Sequence, residues 1–167
     1  MGTPKKPAQV ADLLVRKFPQ TLTPAILEEY GLESTPEQAK QISRELLSLN
    51  LFWAQCAVQT VLSDSESSLV VAELQRSACD ERGPELGTGE QAQRAYFAEL
   101  GERRATYTKI MQEGGAPIAI FTEAASLLEA ARAVRREDRQ KVLALFVDLV
   151  PVDELGEELD DIDLDDS

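Results

Sequence analysis

The chain has 167 residues, 43% apolar and 5% aromatic, with a formal charge of −13, two cysteines and no histidine. One domain of this length buries roughly 70% of its unfolded surface, so it needs neither disulfide nor metal to fold. The lack of histidine excludes Ser-His and Cys-His nucleophile pairs within the chain and removes the commonest metal ligand, while Cys56 and Cys79 form neither a CxxC motif nor a zinc set.

Abundant Ala and Leu with few aromatics favour helix over strand. Residues 1–8 read as a flexible N-terminus with no apolar run behind Lys5 and Lys6, hence no signal peptide. A first short helix spans Gln9 to Phe18, with Val10, Leu13, Leu14 and Phe18 at helical spacing and Pro19 as its stop. Thr23 caps a second, which Pro24 opens and Gly31 ends. Thr35 and Gln38 form a capping box for a third. Its inward positions make two adjacent stripes, one through Ile42, Leu46, Leu49, Trp53, Cys56 and Thr60, the other through Leu47, Leu51, Ala54, Val58 and Val61. So wide an apolar face predicts a central helix with Trp53 in the core.

Ser63 and Glu66 cap a fourth helix, facing inward with Val70, Val71, Leu74 and Ala78, running to about Arg82 and stopped by Gly83-Pro84. Residues 83–89 read as a loop, and Thr88 with Gln91 caps a fifth helix through Tyr96, Leu100, Tyr107 and Met111 to about Glu113. Gly114-Gly115 ends it. A sixth helix spans Pro117 to about Arg135, and a seventh Asp138 to Leu149 with Pro151 beyond it. No strand alternation and no internal repeat interrupt the series. The predicted fold is all-α: a single helical domain over 9–150, an up-down bundle of four longer helices with about three short accessory helices. The longest apolar run, Val142 to Val147, is far too short to span a bilayer, so the protein is expected to be cytoplasmic and off the membrane.

The charge sits at one end. Residues 151–167 hold nine of the acids and no base, so the preceding body carries only −4 of the −13. Such a block repels itself and is predicted to be a disordered tail. Within it Val152, Leu155, Leu159 and Ile162 follow at intervals of three, four and three, the period of an amphipathic helix. Leu155, Leu159 and Ile162 with Asp160, Asp161 and Asp163 are therefore the candidate partner-binding residues, the plain alternative being a solubilising appendage. Asp161, Asp163 and Asp165 alternate like the start of an EF-hand loop, but the Gly and the bidentate Glu that such a loop requires are absent.

Arg132, Arg135, Arg136, Arg139 and Lys141 form the best basic patch, interrupted by Glu137 and Asp138; Arg94, Arg103 and Arg104 form a second. Bases at a helix end also complement the helix dipole without any ligand. Thr23 to Leu47 has the outline of a helix-turn-helix, but its second helix mixes Glu37, Lys40, Arg44 and Glu45 where DNA contact requires a basic face. A carboxylate di-metal site needs Glu-x-x-His pairs, and Glu73, Glu99, Glu102 and Glu129 lie opposite the apolar stripes, as solvated faces do. If the third and fourth helices form a hairpin, Cys56 and Cys79 stand about 12 Å apart along the axis, beyond disulfide reach. The expected function is non-enzymatic: a protein-binding or regulatory helical protein, without cofactor or metal, that docks on a protein partner through helix faces and its acidic tail. The alternative is a nucleic-acid-associated factor using residues 132–141, with the tail as internal competitor.

Overall fold

The computed structural model describes residues 5–19, 21–86, 90–115 and 117–160. Their regular structure is helical throughout, with no strand among the described residues. In chain order the helices are α1 (Pro7–Val15), α2 (Pro24–Glu29), α3 (Pro36–Val61), α4 (Asp64–Leu86), α5 (Glu90–Gln112), α6 (Pro117–Ala130), α7 (Arg139–Leu149) and α8 (Val152–Leu159). A 3₁₀ turn, Arg136–Asp138, leads into α7. None of these helices is long and apolar enough to cross a membrane.

Local chemistry sets most boundaries. The Thr23 hydroxyl accepts the Ile26 amide at 3.3 Å, and Pro24 opens α2. Gly31, at φ +79°, closes it in a Schellman motif: the Leu32 amide reaches the Leu27 carbonyl and the Gly31 amide that of Glu28. Thr35 and Gln38 exchange side chain-to-backbone bonds of 3.0 and 3.1 Å, and Ser63 and Glu66 do the same at 3.3 Å, so both capping boxes form. The Thr88 box lies outside the described residues.

Three boundaries differ from the sequence reading. Helix α1 begins at Pro7, earlier than Gln9, because Pro suits the first helical position and the Gln9 side chain bonds back to the Lys6 amide at 2.8 Å. Helix α4 runs through Gly83 and Pro84 to Leu86. Proline forfeits one backbone hydrogen bond, and one lost near a helix end does not stop the chain. Helix α6 stops at Ala130 instead of Arg135 because Arg132 turns to φ +61°. The Arg132 amide bonds to Glu129 and that of Ala133 to Leu128, a second Schellman motif built without glycine. An L-residue with a side chain pays about 1–2 kcal/mol in that conformation. Arg132→Gly should accordingly raise stability by about 1 kcal/mol in urea denaturation, the relief of strain exceeding the extra freedom of the unfolded glycine. A loss of stability would mean that the Arg132 side chain contributes more than the strain costs.

The contacts group into two compact units. The first comprises residues 1–18, 50–83 and 151–167, hence α1, the second half of α3, most of α4, and α8. Its core takes Val10, Leu14, Trp53, Val58, Val70 and Leu74, and the Ser77 hydroxyl donates to Asp12 at 2.9 Å, joining α4 to α1. The second comprises residues 19–49 and 84–150, hence α2, the first half of α3, α5, α6 and α7. Here α6 packs against both α5 and α7 around Ile42, Leu46, Tyr96, Leu100, Phe121 and Phe146. The two stripes predicted on α3 are buried from Ile42 to Val58, except Cys56, which is half-buried, while Thr60 and Val61 at the helix end are exposed. Cys56 and Cys79 form no disulfide among the described residues, and burial pushes both thiols up.

The acidic tail departs most from its sequence reading. The expectation of disorder from Pro151 onward does not hold for 152–159, which form α8 against α1. Leu155 and Leu159 are 1% and 0% exposed, so burying two large aliphatics outweighs the self-repulsion of the acids around them. Ile162, Asp161 and Asp163 lie outside the described residues.

Candidate functional site

The second unit contains a polar chain between α3 and α5. Glu45, 3% exposed, lies on α3 one helical turn from Ile42 and Leu49. Its carboxylate accepts Arg103 Nε on both oxygens, at 3.0 and 3.1 Å, and the hydroxyl of Tyr107 on Oε1. Arg103 Nη2 also reaches Glu99 at 3.4 Å, and Glu99 in turn accepts Arg44. The Arg44 guanidinium sits 5.7 Å from the centre of the Tyr96 ring, whose hydroxyl pairs with Ser48 at 3.2 Å. Burial pushes the Glu45 carboxyl up, against the opposing pull of Arg103 and Tyr107; burial, then Glu45, push the Tyr107 phenol up. This polar chain corrects one sequence reading. Glu99 is a half-buried link between Arg44 and Arg103 instead of part of a solvated face. Arg44 and Glu45, on the mixed-charge helix that the sequence reading set aside as a DNA-contacting surface, bond to side chains of α5.

The basic patch is interleaved with acids. Arg135 bonds Asp138 at 3.1 Å, Lys141 bonds Asp138 at 3.2 Å and the Gly31 carbonyl at 3.1 Å, and Arg139 lies 3.9 Å from Glu129. Burial alone would raise the Asp138 carboxyl; hydrogen bonds from Lys141 and Arg135 outweigh it and hold it below its ordinary value. Arg132 and Arg136 make no ion pair among the described residues. Against five cations stand Glu129, Glu137 and Asp138, a local surplus of two charges. Two phosphate contacts correspond to a salt slope of about −1.8, a small electrostatic footprint for a nucleic-acid site.

The same unit presents an apolar face that the sequence reading did not single out. Ile118 of α6 and Val147 of α7 are 49% and 52% exposed, and with Leu143 and Ala144 they line a shallow depression edged by Gln140 and Asp148. Leu143 and Val147 are four apart on α7, and Ala144 adjoins them, opposite the buried Val142, Leu145 and Phe146. Apolar residues on both sides of α7 are the signal: the buried side packs on α6, and the other faces outward.

In the first unit, the candidate tail residues Leu155 and Leu159 are turned into the protein's own body, while Asp160 is exposed. Helix α8 is weak by composition. Gly156 stands mid-helix with open space where a side chain would go, costing about 1 kcal/mol against Ala. Asp153 and Glu157, and Glu154 and Glu158, are like-charged pairs four apart, each costing about 0.2–0.5 kcal/mol. No side chain caps its N-terminus, and Glu157 and Glu158 oppose the dipole at its C-terminus. What holds it is the burial of two leucines, about 1.5–3 kcal/mol each before ordering entropy, and a 3.8 Å pair between Lys17 and Glu158.

Comparison with protein-family models, curated proteins and solved structures returns no match.

Proposed function

We propose that this protein is a non-enzymatic binding protein that receives a protein partner on an exposed helix face. The observation that supports this reading is the α6–α7 face, where Ile118, Leu143, Ala144 and Val147 form one continuous apolar surface rimmed by polar groups. Single exposed apolar residues are ordinary, whereas a contiguous set from two helices with a polar rim is the surface pattern of an interaction site. Incorporating a photo-crosslinking residue at Val147 in cells that make the full chain tests it. A discrete protein adduct is expected there and not at Lys109, an exposed position on α5. Ile118→Ser in the same chain should reduce that adduct without lowering thermal stability. Equal, heterogeneous labelling at both positions would remove the α6–α7 face as a docking site.

A further inference from the structure

The site on α1 that α8 covers is a second interaction surface, separate from the α6–α7 face. We propose that it receives an acidic amphipathic helix of a partner protein, one with two large aliphatic residues four apart, and that α8 is its internal competitor. The chain itself supplies the template: α8 places Leu155 and Leu159 in this site while its acids stay at the rim. The charges on the receiving side are complementary. Lys17, just beyond α1, stands beside the acidic helix, and the single acid of α1, Asp12, is engaged by the Ser77 hydroxyl of α4. Lys17 already meets Glu158.

The occupant is built to leave. Gly156 fills no tight space, so nothing in the packing requires a glycine there, and it weakens the helix where alanine would fit. The two like-charged pairs and the absent cap act in the same direction. A partner helix with alanine at the Gly156 position, or with a proper cap, would hold the same two leucine positions with less loss. Only Val150 and Pro151 separate α7 from α8, about 7 Å when extended. Helix α8 and its site belong to one chain, so α8 competes intramolecularly and its effective concentration sets the threshold a partner must exceed. The same short tether favours a separate protein over a second copy, whose α8 would bring its whole body with it.

The test uses the full chain and three labelled peptides: residues 150–167 of this protein, an unrelated acidic peptide with leucines four apart, and that peptide with its acids changed to lysine. The two acidic peptides should bind the wild type weakly and L155D/L159D at least tenfold more tightly, because cis competition is gone. Gly156→Ala should weaken their binding about fivefold by favouring the docked α8. NMR shifts should centre on Val10, Leu14 and Lys17. Far-UV circular dichroism checks that L155D/L159D stays folded; if it does not, the Gly156→Ala comparison alone decides. Equal affinity for wild type and Gly156→Ala, equal binding of the lysine peptide, or shifts confined to α6 and α7 would overturn the proposal. So would a wild-type dimer dispersed by the 150–167 peptide, which would assign the site to a second copy.

Discussion

Replacing Arg103 by Met should lower the free energy of unfolding by about 3–5 kcal/mol, because it leaves the Glu45 carboxylate buried without its counter-charge. Glu45 is 3% exposed, and after the substitution it keeps only the Tyr107 hydroxyl among the bonds described above. The reverse experiment separates the pair's worth from the cost of breaking it. The double variant Arg103→Met, Glu45→Leu removes both charges and should recover most of the loss, since an apolar pair of similar volume is often no less stable than a buried ion pair. The pH dependence has a definite sign. Burial makes the folded-state value for Glu45 higher than its unfolded one, so its contribution to stability is greatest below the unfolded value and declines as pH rises through the folded one. Without Arg103 to pull it down, that value rises further. The deficit of Arg103→Met should therefore shrink as pH falls into the acid range, where Glu45 is neutral in both states. A deficit that is the same at acid and neutral pH would place the loss in packing and not in charge.

Trp53→Ala should cost about 3–5 kcal/mol in chemical denaturation, the range for truncating a large aromatic in a packed core. Trp53 is 8% exposed in the first unit, and its ring meets that of Phe52 edge-on, with centroids 5.4 Å apart at 71°. The neighbouring positions Leu51, Ala54 and Val58 are buried as well, so the surroundings have little freedom to close around the vacancy. Trp53→Phe should keep most of the stability. A loss below about 1 kcal/mol for Trp53→Ala would contradict the burial and place this side chain at the surface.

The all-α character and the inner face of α3 are legible in the sequence because both rest on local causes: helical spacing of large aliphatics, and Ser, Thr, Pro and Gly at the ends. The end of α6 is not legible, since the residue that takes the left-handed conformation is Arg132, where only Gly or Asn would have signalled it. The Glu45 chain is legible only in part. Tyr96, Leu100, Arg103 and Tyr107 follow at intervals of four, three and four, so Arg103 occupies an inward position on α5 as Glu45 does on α3. That a base and an acid both stand on apolar stripes is the signal that they could satisfy each other. Which stripe faces which is a tertiary fact across 58 residues of chain. In the tail the spacing of Leu155 and Leu159 is plain, but the density of acids on its own predicts disorder. The burial available on α1 reverses that balance, and it cannot be weighed from the tail alone.

Where the acidic segment lies in the free protein is measured most directly by the steady-state heteronuclear NOE of the backbone amides from Asp153 to Leu159. With α8 docked on α1, those amides should give the rigid values of Val10 to Val15, and L155D/L159D should drop them to flexible-chain values while α1 keeps its own. Flexible values across Asp153 to Leu159 in the wild-type monomer would contradict the account, because the segment would then be free and its leucines unburied.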